Sequence, residues 1–235
     1  MELLKKLNPE QKEKLTQYLL EFVSKHKQEI FAKNLVQRTR YLTIVLENVF
    51  QPHNISAVLR SCECFGVQDV HIIENRNRYQ VNPDVALGAS KWLSIHRYDE
   101  GEETVIRVLE RLRAQGYRLV ATSPHEDDYT IEELPLDQKT ALIFGTELEG
   151  LSKAALSMAD AWVKIPMVGF TESLNISVSA AVSLYTLTRR LRQSSYSWCL
   201  NEEEQQDVLL QWAVSAVKSA EPLIKNFLNQ KRNLM

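Results

Sequence analysis

The fold class is decided by residues 42–74, LTIVLENVFQPHNISAVLRSCECFGVQDVHIIE. The opening run LTIVLE is short and apolar, which predicts a buried strand. Pro52 breaks the chain, and the next segment predicts a helix with Asn54 as its N-cap and Gly66 as its C-terminal stop. The closing run DVHIIE predicts a second strand. A strand, a helix and a strand in this order are typical of a parallel βαβ unit.

The same alternation continues to about residue 193. Further strands are predicted at KWLSIHRY (91–98), YRLVATS (117–123), TALIFG (140–145) and AWVKIP (161–166), and helices at 102–116, 175–193 and 202–229. Alternating strands and helices predict an α/β fold, with a mainly parallel sheet and helices on both of its faces. We expect an N-terminal helical extension at 1–40, a central domain at 41–193 and a C-terminal helical extension at 194–235.

The composition, 44% apolar and 25% charged, is ordinary for a globular protein. No apolar run approaches the roughly 20 residues that a membrane-spanning helix needs, and the charged N-terminus lacks the apolar core of a signal peptide. The three cysteines, Cys62, Cys64 and Cys199, form an odd and sparse set, which is typical of a reducing compartment. We therefore expect a cytoplasmic protein with no membrane partner and no metal site.

The net charge of −2 does not by itself indicate nucleic-acid binding, but the charge is unevenly distributed. Residues 1–40 carry nine Lys or Arg against five Glu, and Asn8-Pro9 predicts the start of a helix there. Such a basic arm can meet a phosphate backbone while the whole chain stays slightly acidic. The alternative is an ordinary solvated helix face.

The seven glycines exclude several familiar nucleotide-binding and catalytic classes. No two of them are separated by one residue, so a GxGxxG loop cannot occur, and neither a Walker A loop nor a GxSxG elbow is present. A standard dinucleotide-binding oxidoreductase or a P-loop enzyme would therefore lack its phosphate cradle.

Polar side chains follow the first predicted strand, in ENVFQPHNISAVLRSCECFG. In open α/β sheets, ligands bind beyond the carboxyl ends of the strands. Asn54 stands near the start of the helix, and Arg60 lies off its apolar stripe, where a guanidinium offers a planar fork of donors to phosphate. The alternative is a capping Asn and a surface Arg.

Two later strands also end in polar segments. In FGTELEGLSKAAL, Gly145 permits a close approach of backbone or ligand, and Glu147 has no local capping role before Ser152, the predicted cap of a short helix. In IPMVGFTESLNISVSAAVSLY, Ser173 and Asn175 stand at a helix entrance, where amide donors gather. The alternatives are a solvated loop acid and a capped helix with a small-residue packing face.

These three segments together resemble the three signature motifs of the SpoU branch of the SPOUT methyltransferases, and most closely the tRNA (guanosine-18-2′-O)-methyltransferase group. The residues that carry the resemblance are LENVFQPHNISAVLRSCECFGV, LIFGTELEGLS and IPMVGFTESLNISVSAAVSLY, which occur in the order and spacing of the family. The resemblance covers roughly residues 36–193.

The resemblance implies a deep trefoil knot in the sheet, S-adenosylmethionine as methyl donor, and a homodimer in which the other subunit completes the RNA site. It implies cofactor contacts at Thr122, Gly145, Ile165, Met167 and Leu174. It assigns Arg60 as the catalytic arginine and Asn54, Glu147, Ser173 and Asn175 as the other polar site residues.

Methyl transfer to a ribose hydroxyl depends on positioning and on removal of the hydroxyl proton. Asn54, Ser173 and Asn175 have the donors and acceptors to orient the ribose. Arg60 presents a difficulty, because a guanidinium is normally fully protonated. Either Arg60 loses a proton transiently in a dry site, or it grips a phosphate while another group accepts the proton.

The sequence thus favours a tRNA ribose 2′-O-methyltransferase, with guanosine 18 as its target. Other interpretations are a ribosomal RNA methyltransferase of the same branch, a non-catalytic RNA-binding module, and a nicotinamide-dependent enzyme. The last is disfavoured by the missing glycine loop. Arg76 and Arg78 are further expected RNA contacts.

Overall fold

The chain folds into two compact units, one of residues 39–198 and one that joins residues 1–38 to residues 199–235. The structure is a computed structural model that describes residues 4–74, 88–99, 104–123 and 128–232. The expected RNA contacts Arg76 and Arg78 lie outside these ranges. None of the described helices has both the length and the apolar character to cross a membrane.

In the described part of the larger unit, seven strands form one sheet, and their pairings are all parallel. The strands are β1 (Leu42–Glu47), β2 (Asp69–Ile73), β3 (Ser94–Tyr98), β4 (Arg118–Thr122), β5 (Tyr129–Thr130), β6 (Thr140–Phe144) and β7 (Ala161–Lys164). Their order across the sheet is β3-β2-β1-β6-β4-β7-β5. The predicted α/β fold with a parallel sheet is confirmed, and only the two-residue β5 escaped prediction.

Helices cover both faces of this sheet, as expected. On one face, α3 (Pro52–Phe65) packs against α6 (Ile176–Gln193) over a core that includes Leu59 and Leu187. The other face is covered by α4 (Thr104–Ala114) and α5 (Lys153–Met158), with Leu109 and Ala155 in its core. A short 3-10 helix, Ala89–Trp92, precedes β3.

The strand order places four carboxyl ends side by side. β6 lies between β1 and β4, and β7 lies on the far side of β4. Because parallel strands end at the same edge of a sheet, the segments that follow β1, β4, β6 and β7 emerge next to one another.

The start of α3 differs from the prediction. The helix begins at Pro52 with Gln51 as N-cap, whereas Asn54 is in the first turn and only 2% exposed. The N-cap assignment of Asn54 was wrong because the fixed φ of proline suits the first helical position, and the Asn54 amide bonds to distant residues instead of the local backbone. Gly66 ends the helix at φ 79°, as predicted.

The smaller unit consists of helices from both ends of the chain: α1 (Pro9–Leu20), α2 (Lys25–Leu35), α7 (Glu202–Ala216) and α8 (Ala220–Arg232), after a short 3-10 helix at Leu4–Lys6. Trp212 of α7 is 2% exposed and packs against Phe31 of α2, with the Arg38 guanidinium over its ring. Lys12 of α1 forms an ion pair with Asp207 at 2.7 Å. The C-terminal helices therefore pack on the N-terminal ones.

The single helix predicted at 202–229 is instead divided into α7 and α8. The break contains Ser219, which has a φ of 60°, and Pro222 follows in the first turn of α8. Proline has no amide hydrogen and clashes with the preceding turn, so it is tolerated at the start of a helix but not in its interior.

A polar cluster around the buried His71 lies on β2 and β3, at one side of the sheet. The His71 ring is stacked on His96 at 4.7 Å, and its Nδ1 is 3.0 Å from the Tyr98 hydroxyl. Burial is the main reason that the pKa of His71 falls to about 3. Repulsion from His96 acts in the same direction, and attraction to Asp69 opposes both.

The low pKa of His71 predicts that the stability of the folded protein depends on pH between pH 6.5 and about 3. In that range the unfolded chain binds a proton at His71 that the folded chain excludes, so acidification is expected to lower the free energy of unfolding. The contribution approaches about 1.4 kcal/mol for each pH unit. Urea unfolding at several pH values should show a smaller pH slope for His71→Gln than for the native chain; equal slopes would contradict the assignment.

Candidate active site

A cavity of about 610 Å³ opens at the carboxyl ends of β4, β6 and β7. Its walls come from the segments that follow these strands and from the start of α6. Eight of the predicted site residues line it: Thr122, Gly145, Glu147, Ile165, Met167, Ser173, Leu174 and Asn175. Two of the three predicted polar segments therefore meet at the cavity through predicted site residues, and the first segment reaches it through Gln51.

One wall of the cavity is a tight loop after β6. Thr146 and Gly150 pair across it, with hydrogen bonds of 2.9 and 3.1 Å between their backbones. A Cβ atom at Gly145 would lie 2.1 Å from the Gly150 carbonyl oxygen, so this position requires glycine. The loop presents Glu147 at its exposed turn, and Ser152 caps α5 after it, as predicted.

Glu47, the last residue of β1, is hydrogen-bonded to the end of this loop. Its side chain is 2% exposed, and its Oε2 accepts a hydrogen bond from the Ser152 amide at 2.9 Å. Its Oε1 has no hydrogen-bond partner among the described residues. The sequence analysis did not single out Glu47, although an acid that ends a buried strand is an unusual feature.

Replacing Glu47 with alanine removes the acceptor from the Ser152 amide and is expected to reduce the free energy of unfolding by about 1–3 kcal/mol. Glu47→Gln is the matched control, because its carbonyl oxygen can still accept that hydrogen bond. Urea unfolding of the two variants measures the difference, and equal losses in both would show that the Ser152 contact is not what matters.

A network of side-chain hydrogen bonds connects the three polar segments. Asn54 Nδ2 donates to Glu147 Oε1 at 2.6 Å, and Asn175 Nδ2 donates to Asn54 Oδ1 at 3.2 Å. Asn175 Oδ1 accepts from the Ser177 amide at 2.9 Å and caps α6. Asn54, which is buried and does not itself line the cavity, is therefore the centre that joins residues 93 and 121 positions away.

Arg60 is the one predicted site residue that does not join this group. It is exposed on α3, does not line the cavity, and makes no hydrogen bond or ion pair with any described residue. Six helical positions separate it from Asn54, which corresponds to a rotation of about 240° around the helix axis. Within one chain, Arg60 therefore projects from a different side of α3.

Several cavity residues were missed by the sequence analysis. Gln51, Ser123, Ser179 and Ser183 all line the cavity. Gln51 could have been found, because Pro52 at the first helical position marks the preceding residue as the N-cap. Ser179 and Ser183 were hidden among small residues that also suit helix packing.

The cavity has the mixed character of a small-molecule binding site. Phe144, Leu156 and Val163 supply apolar wall, while Thr122 and Ser123 supply hydroxyl groups at the end of β4. Ligand pockets typically combine mostly apolar walls with a few placed polar groups. Among the described residues, no group of three His, Cys, Asp or Glu side chains could hold a metal ion.

Comparison with known proteins agrees with this geometry. The tRNA (guanosine(18)-2′-O)-methyltransferase of Borreliella burgdorferi is 43% identical over 211 residues, which cover 90% of this chain and 94% of that protein. The crystal structure of the A. aeolicus TrmH/SpoU tRNA modifying enzyme has a TM-score of 0.72 at 30% identity, covering 82% of this chain and 98% of that one.

A more distant structure includes a bound cofactor. The crystal structure of the SpoU methyltransferase AviRb from Streptomyces viridochromogenes, in complex with AdoMet, has a TM-score of 0.59 at 26% identity. The match covers 69% of this chain and 65% of the AviRb chain. The profile of the SpoU rRNA Methylase family matches residues 41–185, which include all three polar segments and the cavity. The chain therefore belongs to the SpoU methylase family.

Proposed function

We propose that this protein is an S-adenosylmethionine-dependent methyltransferase that modifies the ribose 2′-hydroxyl of guanosine 18 in tRNA. The observation that carries the proposal is the Asn54–Glu147–Asn175 network at the edge of a nucleoside-sized cavity. The B. burgdorferi and A. aeolicus relatives, which match nearly their whole length, support tRNA as the substrate.

The cavity residues fit S-adenosylmethionine. Thr122, Gly145, Ile165, Met167 and Leu174 line it and are the residues that would hold this donor. When bound, the donor supplies a sulfonium methyl group, so that as the new O–C bond forms, the C–S bond breaks and its electron pair stays on sulfur. Met167 and Leu174 contribute apolar surface, and the strand-end backbone offers hydrogen-bonding groups.

The chain must also receive the proton that leaves the 2′-hydroxyl. Glu147 is held through Oε1 by Asn54, and its Oε2 bonds to no described residue. That oxygen is an acceptor within the cavity lining, and Ser173 lines the same cavity with a hydroxyl that can orient the ribose. We assign Asn54 and Asn175 to holding this arrangement. We assign Glu147 to accepting the hydrogen bond from the 2′-hydroxyl and then its proton.

The proposal includes a homodimer in the cytoplasm. Leu148, Val168 and Phe170 are almost fully exposed on segments that carry cavity residues, and exposed apolar surface of this kind marks a protein contact. In the dimer, Arg60 would act at the cavity of the other subunit. A trefoil knot and a methyltransferase domain at 41–193, between helical extensions at 1–40 and 194–235, belong to the same proposal.

The test is transfer of a labelled methyl group into total tRNA and rRNA, followed by mapping of the modified ribose. We expect incorporation into tRNA at guanosine 18. The matched control is the same tRNA with 2′-deoxyguanosine at that position, which should accept no methyl group. Incorporation into rRNA alone would reject the tRNA assignment in favour of a ribosomal substrate.

A further inference from the structure

Gln51 stands where β1 leads into α3, exposed to solvent and lining the cavity. It is the N-cap residue of α3, but its side chain makes no capping hydrogen bond. Instead, its Oε1 accepts a hydrogen bond from Asn54 Nδ2 at 3.3 Å. Gln51 is therefore tied to the network that joins Glu147 and Asn175.

One end of that network fixes the orientation of its amides. The Ser177 backbone amide can only donate, so the atom of Asn175 that faces it at 2.9 Å must be the carbonyl oxygen. The amino group of Asn175 then faces Asn54 at 3.2 Å. Asn54 consequently turns its oxygen toward Asn175.

The other end independently requires the same orientation. An ionised carboxylate only accepts, so Asn54 must present its amino group to Glu147, at 2.6 Å. The same amino group also faces the Gln51 side chain, which must therefore accept the hydrogen bond through its oxygen. Both ends of the network thus leave the Gln51 amino group pointing away from Asn54.

The side chains on either side of Asn54 Nδ2, those of Gln51 and Glu147, each keep one polar group that bonds to no described residue. Gln51 Nε2 makes no hydrogen bond with any described residue and carries two N–H donors. Glu147 Oε2 is an acceptor without a described partner. Since both residues line the cavity and both accept a hydrogen bond from Asn54 Nδ2, the site presents a donor and an acceptor on two neighbouring side chains.

We infer that Gln51 is a substrate-contacting residue that donates a hydrogen bond to the 3′ oxygen or phosphate of the target nucleotide, next to the reacting 2′-hydroxyl. This inference rests on the proposed function. A ribose in RNA carries a hydroxyl that can donate beside a 3′ phosphodiester that can only accept. The Glu147 acceptor and the Gln51 donor complement these two neighbouring groups.

The experiment compares Gln51→Met and Gln51→Glu in the full-length protein. Gln51→Met keeps the length of the side chain and removes its donor, whereas Gln51→Glu keeps an oxygen for Asn54 and replaces the donor by an acceptor. The matched control is His53→Ala, an exposed residue two positions along that does not line the cavity. Single-turnover methyl transfer to tRNA and titration of S-adenosylmethionine are measured for each variant.

We expect both Gln51 variants to lower the single-turnover rate at saturating tRNA about 10-fold or more, the effect of one lost hydrogen bond. The dissociation constant of these variants for S-adenosylmethionine should stay within about twofold of the native value, which would also show that they fold. The His53→Ala control should transfer the methyl group at the native rate.

A native rate in Gln51→Met overturns the inference, and so does a variant that loses cofactor affinity in proportion to its rate. Failure of the proposed function is distinguishable from both, because the native protein itself would then transfer no methyl group to tRNA.

Discussion

Replacing Arg60 with alanine is expected to lower the methyl-transfer rate about 1,000-fold while S-adenosylmethionine still binds with nearly native affinity. Because Glu147 is assigned to accept the proton, the size of the effect is that of losing one group that holds the phosphate and stabilises charge in the transition state. Cofactor binding should survive because Arg60 does not line the cavity of its own chain and makes no hydrogen bond or ion pair with any described residue.

Single-turnover kinetics and isothermal titration measure these two quantities separately. Arg107→Ala, an exposed arginine on α4, serves as the matched control for loss of a surface charge. An active Arg60→Ala protein would remove Arg60 from the mechanism.

The position of Arg60 also predicts complementation between inactive variants. If Arg60 acts at the partner's cavity, a mixed dimer of Arg60→Ala and Ser173→Ala chains contains one intact site. Random mixing should then restore up to about a quarter of the native activity, since half of the dimers are mixed and each has one working site. No recovery after subunit exchange would place Arg60 at the cavity of its own chain.

Gly145→Ala is expected to weaken S-adenosylmethionine binding about 100-fold. The added Cβ would lie 2.1 Å from the Gly150 carbonyl oxygen and 2.4 Å from the Leu151 nitrogen, both of which are backbone atoms. The loop that lines the cavity must therefore move, because no flexible side chain is there to yield.

Gly169→Ala is the matched control, since a Cβ there would meet no atom within 4 Å. Titration calorimetry together with thermal unfolding separates a displaced loop from an unfolded protein. A Gly145→Ala protein with native affinity would show that the loop tolerates the shift.

The elements that were predicted correctly are those with local causes. β1 begins and ends where LTIVLE does, Gly66 ends α3 in the left-handed conformation, and Ser152 caps α5 through its own side chain. Each depends on a few consecutive residues, so the sequence contains the whole cause.

The features that escaped prediction depend on distant residues. Asn54 has the chemistry of an N-cap, yet it bonds to residues more than 90 positions away, and Glu47 supports a loop 105 positions away. The convergence of the strand ends followed from the predicted parallel sheet. The separation of Arg60 from the cavity depends on the direction in which Arg60 projects from the axis of α3. That direction depends on the first residue of the helix, which was predicted incorrectly.

The interleaving of both chain termini in the smaller unit has a consequence for synthesis on the ribosome. Phe31 and Lys12 are made before residues 39–198 of the larger unit. Trp212, which packs against Phe31, and Asp207, which pairs with Lys12, are made after them. The apolar faces of the basic helices α1 and α2 therefore stay uncovered until α7 has emerged from the exit tunnel. By that time the whole sheet of the larger unit has already left the tunnel. Nascent chains arrested before α7 should expose the apolar faces of α1 and α2 to chaperones, whereas chains that include α7 and α8 should bury them.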